Sequence, residues 1–271
     1  MYYLSLFLTG IIGGALGGLL GIGGGIIFVL VLPISLQAVG VPQNELAQFT
    51  IANSLFATFF SSLSVNYTLI KDKKVYPRQV FTIGICAALT SLAVLKWVVN
   101  TTWYSPLIFN WVLIVMLSYM LARTFLLARR PDADTDPNSL TSKTLGFVGL
   151  ISGFVSPLSG LGGGVVVIPL LNSWLRVSMK VANGISLGAI GIVSLSSTLF
   201  NLTAKTDFSY YNQGYIVFPI AIALSLGVMV GSPQGVKLSK KLPTHIISYT
   251  FAALMAVILF KKILEILSLS Q

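Results

Sequence analysis

The chain is 271 residues long, 55% hydrophobic and only 9% charged, with a mean hydropathy of +0.88 and a formal net charge of +10. An ordinary soluble domain carries about a quarter charged residues, so that class is excluded and an integral membrane protein is implied. Lys and Arg lie mostly in short loops between apolar stretches, so the positive balance reads as membrane orientation rather than nucleic-acid binding.

Apolar segments run from Tyr2 to Pro33, Leu46 to Ile70, Val80 to Val99, Leu107 to Ala128, Leu145 to Leu171, Val181 to Thr203, Tyr215 to Val236 and His245 to Leu267. Most reach the ~20 residues that a bilayer demands. The first has no basic leader and exceeds a signal-peptide core, so it is expected to belong to the fold. It contains Gly21-Ile22-Gly23-Gly24-Gly25, where three consecutive glycines cost about 1 kcal/mol each against Ala in a helix interior. A break is therefore expected there. Cys86, within the third segment, rules out an intrachain disulfide and reads as a buried small hydrophobe.

Between Arg129 and Lys143 lies the extended polar stretch that divides the chain into a first repeat (1–128), a polar cytoplasmic linker (129–144) and a second repeat (145–271). Asp132, Asp134 and Asp136 imitate the opening of a calcium loop, but Pro137 and Lys143 stand where that loop needs Gly and Glu. No calcium site is expected. The sequons at Asn66, Asn100 and Asn201 read as chance matches.

The fifth segment repeats the first. A shift of 139 residues lays Gly160-Leu161-Gly162-Gly163-Gly164 on the first tract, Gly149 on Gly10, Gly153 on Gly14, Ser152 on Gly13 and Ser156 on Gly17. Gly13, Gly17 and Gly21, like Ser152, Ser156 and Gly160, recur every four residues and open one helix face to close packing. The next segments also correspond: Asn53-Ser54-Leu55 resembles Asn183-Gly184-Ile185-Ser186-Leu187, with the Ser-Leu pairs 132 residues apart.

Charge counting favours one topology. Eight plain spans divide the 17 Lys and Arg eleven against six. If the two glycine-bearing segments instead return to the side they entered from, all but Lys96, Lys205, Lys261 and Lys262 fall on one face, thirteen against four. The expected fold is an all-α polytopic membrane protein of two inverted repeats, each a Gly-hinged broken helix or hairpin plus three transmembrane helices, with both termini outside. Lys96 and Arg123 are expected to snorkel at segment ends, His245 to open the last helix, and Pro157 and Pro233 to kink theirs.

A backbone break at membrane depth is tolerated only against protein or a water-filled cavity. Each tract leaves the first N–H groups of the following helix unpaired, with its positive dipole end at the break, a natural anion site. Gly23, Gly24, Gly25, Gly162, Gly163 and Gly164 are the candidate backbone contacts, and Asn53, Ser54, Ser159, Asn183 and Ser186 the candidate side-chain donors. Carboxylates, which a cation site would want, fall only at segment ends or in loops as Glu45, Asp207 and Glu265. Close helix packing is the competing explanation of the glycines, and an interhelical hydrogen bond that of Asn53 and Asn183.

At these residues the chain resembles the sulfite exporter TauE/SafE family of membrane permeases. The likeness rests on Gly13, Gly17 and Gly21 to Gly25 with a following Pro33, the second copy at Gly160 to Pro169, and the two Ser-Leu elements. It implies secondary transport of a small sulfur-containing anion such as sulfite, sulfoacetate, thiosulfate or another organosulfonate, across the cell's inner (plasma) membrane. It implies no cofactor, metal or covalent chemistry. The partners expected are that anion and the lipid bilayer, with no nucleic acid, and a homo-oligomer stays open. A passive anion channel and a non-transporting accessory subunit are the alternative readings. Ser152, Ser156 and Asn53 depart from the family's usual residues, which leaves the substrate open.

Overall fold

A computed structural model describes residues 2–71, 76–101, 103–127 and 135–269. Lys73, Lys74, Arg129, Arg130, Asp132 and Asp134 lie outside the described residues, as do the side chains of Arg123, His245 and Glu265.

Every apolar segment is helical, and the two glycine-bearing ones are each split in two. The first repeat comprises α1 (Tyr2–Leu20), α2 (Gly25–Ala38), α3 (Leu46–Lys71), α4 (Pro77–Val94, continued by a π turn Leu95–Val99) and α5 (Pro106–Leu127). The second comprises α6 (Ser142–Ser159), α7 (Gly164–Pro169, continued by a π turn Leu170–Trp174), α8 (Met179–Leu202), α9 (Phe218–Lys241) and α10 (Thr244–Leu269). Between α8 and α9 a short antiparallel hairpin pairs β1 (Asn212–Gln213) with β2 (Ile216–Val217). Proline at the first or second position starts α4 and α9, where its missing N–H removes no helical bond. At Cys86 the expectation changes: the thiol is only half-buried, because α4 presents it to Gly146 and Gly149 across the α4–α6 contact.

Five helices, Tyr2–Leu20, Gln43–Lys71, Pro77–Val99, Met179–Leu202 and Phe218–Lys241, are long and apolar enough to cross a bilayer. The distribution of side chains suits lipid. Phe81, Ile85 and Leu89 of α4 and Ile222, Leu226 and Met229 of α9 face outward, while the interior holds Ser, Thr, Asn and Gly. This is a multi-pass membrane protein.

Packing is preserved when the repeats are exchanged. α1 lies on α9 as α6 lies on α4; α3 lies on α9 as α8 lies on α4; α3 crosses α8, and α5 pairs with α10. Helix directions follow from the contacts. Gly10 meets Gly227 and Gly14 meets Val228 and Ser232, so α1 and α9 run parallel; Gly149 meets Ile83 and Gly153 meets Ala87, so α6 and α4 do too. In contrast, Ser62 of α3 reaches Leu187 while Leu69 lies against Gly184, so the central pair is antiparallel.

The contact of α1 with α9 is backbone on backbone. Gly10 faces Gly227, Gly14 and Gly18 face Val228 and Ser232, and Gly231 and Gly235 face Ile11 and Ala15; a methyl at Gly10 would sit 3.0 Å from the Gly227 Cα. Such closeness lets dispersion and Cα–H contacts act where lipid provides no hydrophobic drive. The adjoining face of α1, carrying Gly13 and Gly17, receives the Phe28 ring of α2 and the tract's Gly24 instead. The returning arm is thus the partner of that face.

Both broken segments are hairpins in the chain's own geometry. Tyr2 near the start of α1 donates its hydroxyl to the Ser35 carbonyl near the end of α2, at 2.8 Å. In the second repeat Phe147, early in α6, stacks edgewise on Trp174 past α7, with ring centroids 5.9 Å apart. The second arm is the shorter, since α7 gives way to its π turn after Pro169, while α2 runs through Pro33 to Ala38.

Proline inside a helix leaves a carbonyl without its donor four residues earlier. At Pro233 that carbonyl belongs to Met229, and Ser64 of α3 supplies the missing bond at 2.9 Å. The helix continues without interruption, and α3 is tied to α9. Further seryl pairs do likewise: Ser61 with Ser232 at 2.7 Å between α3 and α9, and Ser91 with Ser197 at 2.9 Å between α4 and α8.

Candidate functional site

The two glycine tracts adopt the same backbone path. Gly21, Gly23 and Gly24 have φ of 77, 73 and 87°, and Gly160, Gly162 and Gly163 have 69, 72 and 80°. These are left-handed conformations that a Cβ penalises by roughly 1–2 kcal/mol per residue, so glycine is required at the first, third and fourth positions. Ile22 and Leu161, between them, are each 1% exposed and anchor the turns in the core. The fifth glycine has another reason. A methyl on Gly25 would lie 2.9 Å from the Leu161 Cα, and one on Gly164 would lie 2.9 Å from the Gly21 carbonyl oxygen.

The tracts therefore meet at the centre of the molecule, and two serines lock them there. Ser54 of α3 donates to the Gly160 carbonyl at 2.6 Å, and Ser186 of α8 donates to the Gly21 carbonyl at 2.9 Å. Each serine crosses to the other repeat's tract, and both side chains are fully buried. A Gly residue ending a helix in the left-handed form leaves carbonyls exposed. The hydroxyls satisfy two of them.

The remaining candidates divide. Asn53 turns away from the tracts: its Nδ2 donates to the Phe49 and Tyr215 carbonyls at 2.7 and 3.0 Å, and its Oδ1 accepts from Val217 N–H at 3.0 Å. It pins the β1–β2 hairpin to α3. Ser159 bonds back to the Val155 carbonyl at 2.9 Å and faces the Leu161 N–H at 3.4 Å, steadying the turn. Asn183 stays at the site. It is 5% exposed, packs on Gly21, and donates to the Leu19 carbonyl at 3.3 Å, while its Oδ1 has no hydrogen-bond partner among the described residues.

Thr58, Ile190 and Ser194 complete the crossing, though no motif marks them. A methyl on Gly23 or Gly162 would strike the Thr58 Cγ2, at 2.7 and 2.9 Å, and Ile190 lines the same contact. The hydroxyls of Thr58 and Ser194 are buried and likewise lack a partner among the described residues. Their helical spacing from Ser54 and Ser186, four and eight residues on, is the signal that places them on the same faces. Ser152, in place of the Gly13 of the first repeat, donates to the Gly163 carbonyl at 3.2 Å.

The two ends of the bundle differ. At one end Arg78 at the start of α4 bonds the Leu140 carbonyl and the Ser142 hydroxyl at the start of α6, and Lys180 at the start of α8 bonds the Lys240 carbonyl at the end of α9. A cavity of about 170 Å³ opens there, lined by Gly18, Leu69, Tyr76, Lys180, Asn183 and Lys240 among others. At the other end Phe49 packs edgewise on Phe208 and Tyr215, with centroids 5.4 and 5.1 Å away, and Thr206 bonds the Glu45 carboxylate at 2.6 Å. Burial, and then the Glu45 carboxylate, raise the Tyr215 phenol above its ordinary pKa. No group of three or more His, Cys, Asp or Glu side chains stands close enough to hold a metal among the described residues.

Residues 6–261 match the family described as Sulfite exporter TauE/SafE. Relatives include probable membrane transporter proteins of Methanocaldococcus jannaschii, 32% identical over 89% of this chain and 88% of that one, and of Bacillus subtilis, 25% identical over 91% and 92%. Another, of Haemophilus influenzae, is 22% identical over 97% of this chain and 99% of that one. With its duplicated glycine turns, its lipid-suited exterior and a match across nearly its whole length, the chain belongs to the sulfite exporter TauE/SafE family of membrane transporters.

Proposed function

We propose that this chain is a secondary transporter of a small sulfur-containing anion such as sulfite, sulfoacetate, thiosulfate or another organosulfonate, working by alternating access in the cell's plasma membrane and catalysing no covalent step. The observation that carries the reading is the reciprocal lock at the centre, Ser54 on Gly160 and Ser186 on Gly21. Hydroxyl donors, orphan N–H groups at the starts of the 14-residue α2 and of Gly164–Trp174, and uncharged surroundings are what a partly desolvated oxyanion needs. In this conformation the serines hold the tracts together. An anion entering from one end takes over one serine and the N–H groups beside it, freeing that tract from its partner.

Two features support an inverted arrangement of the repeats. α3 runs antiparallel to its counterpart α8, and the parallel pairing of α1 with α9 is matched by that of α6 with α4 when the repeats are exchanged. The residues at the Arg78, Lys180 and Lys240 end also belong to the thirteen basic positions that the hairpin topology gathers on one face. Rocking of one repeat against the other around the lock then alternates access.

Reconstitution into liposomes tests the reading. Uptake of labelled sulfite, sulfoacetate or thiosulfate is expected to saturate with concentration. Unsaturable flux would instead favour a passive channel, and no flux of any of the three an accessory role.

A further inference from the structure

We propose that the cavity at the lysine-rich end is a separate vestibule site for a small organic anion carrying a short apolar part, ahead of the glycine lock. The inference rests on the transporter reading above and deepens it toward a substrate class.

The lining has two chemical halves. Lys180 and Val181 belong to the first turn of α8, where N–H groups are left without helical partners and the helix dipole is positive. The Lys180 ammonium is held across the mouth by the Lys240 carbonyl at 3.3 Å, and no carboxylate lines the cavity among the described residues. Tyr76 and Ser239 contribute hydroxyls. Leu69, Leu187 and Val236 form the other half, and with Val65 they make a continuous apolar cluster.

A volume of about 170 Å³ accepts several heavy atoms beyond a bare three-oxygen anion. Asn183, 5% exposed, lines the cavity and also touches Gly21, with its Oδ1 unpartnered among the described residues. The vestibule and the lock therefore share one side chain. An anion seated on the Lys180 turn has Asn183 between it and Gly21, with its apolar part against Leu187 and Val236.

Calorimetry on the full chain in nanodiscs, with sulfite, methanesulfonate and propane-1-sulfonate as probes, tests this. Two added methylenes are expected to tighten binding about tenfold between the two sulfonates. Lys180→Gln, on an exposed side chain, is expected to weaken all three about fivefold. Gly184 lines the cavity, and a methyl there would meet the Leu69 Cδ1 in ordinary contact at 3.9 Å, so Gly184→Leu is expected to fill the cavity and abolish propane-1-sulfonate binding. Equal affinity for the two sulfonates, or titrations unchanged in both variants, would overturn the vestibule. Saturable liposome uptake with an unaltered KM in Lys180→Gln would overturn it while leaving the transporter reading intact. Sulfonate binding of the expected pattern without any uptake would sink the transporter reading and leave the site.

Discussion

The Ser54 hydroxyl in the first repeat donates to the Gly160 carbonyl in the second, at 2.6 Å, and Ser186 returns the same bond to Gly21 at 2.9 Å. Each bond satisfies a carbonyl that a left-handed glycine strands at a helix end. Removing one hydroxyl leaves that carbonyl buried and unpaired. Ser54→Ala and Ser186→Ala are each expected to cost about 1–3 kcal/mol of stability. Because both bonds hold the same junction, the double variant is expected to deviate from additivity by at least about 0.5 kcal/mol, read from unfolding in detergent.

Left-handed glycines at two kinds of site make an internal control. Gly40 has a φ of 90° but nothing within 4 Å of a Cβ, so Gly40→Ala costs only the backbone penalty, about 1–2 kcal/mol. Gly24 has a similar φ of 87° and the Gly13 carbonyl oxygen 2.9 Å from a Cβ. Gly24→Ala is expected to cost at least about 1 kcal/mol more, measured as the difference in thermal unfolding between the two variants.

Asn53 and Asn183 occupy corresponding elements but different surroundings. Asn53→Ala leaves the Val217 N–H and the Tyr215 carbonyl unpaired, so a loss of about 2 kcal/mol or more of stability is expected with little change in KM among surviving molecules. Asn183→Ala is expected to do the reverse, raising KM with a small loss of stability. Paired unfolding and uptake measurements on both variants separate the roles.

Pro233 and Ser64 form a coupled pair through the Met229 carbonyl. Pro233→Ala restores the helical N–H donor. In that background Ser64→Ala is expected to cost less than in the native chain by about 0.5–1.5 kcal/mol, and a double-mutant cycle on unfolding reads the difference. Equal costs in the two backgrounds would show that Ser64 acts elsewhere.

Helix directions place the start of α1 and the end of α10 at the end opposite Lys180 and Lys240. A reporter fused after Gln271 is expected on the outer face, with cysteines introduced near Lys180 labelled from the cytoplasm. A cytoplasmic reporter would reverse this orientation.

The glycine tracts were legible because a chemical peculiarity marks them: the first, third and fourth positions of each adopt left-handed backbone, and glycine alone does so freely. The small faces were legible only as faces. Gly13 and Gly17 indicate that something approaches closely, but spacing cannot tell the returning α2 from a neighbouring helix, and the approach of Gly10 and Gly14 to Gly227 and Val228 depends on tertiary position. Asn53 shows the same limit, since its partner Tyr215 lies 162 residues away and the hairpin holding it has no periodic signature. Lys262, placed by charge counting on the face opposite the thirteen basic residues, is 1% exposed and bonds Asn110 at 3.0 Å, a burial produced by the pairing of α5 with α10. The cavity was invisible for the same reason: Gly18, Leu69, Lys180 and Val236 come from four helices.

Uptake of labelled sulfite, sulfoacetate and thiosulfate into proteoliposomes, comparing the native chain with Gly24→Leu and Gly163→Leu, bears most directly on the central lock. Saturable uptake of at least one anion by the native protein, lost in both variants while each still inserts, is the expected result. Normal uptake by both variants would contradict the lock as the transport site.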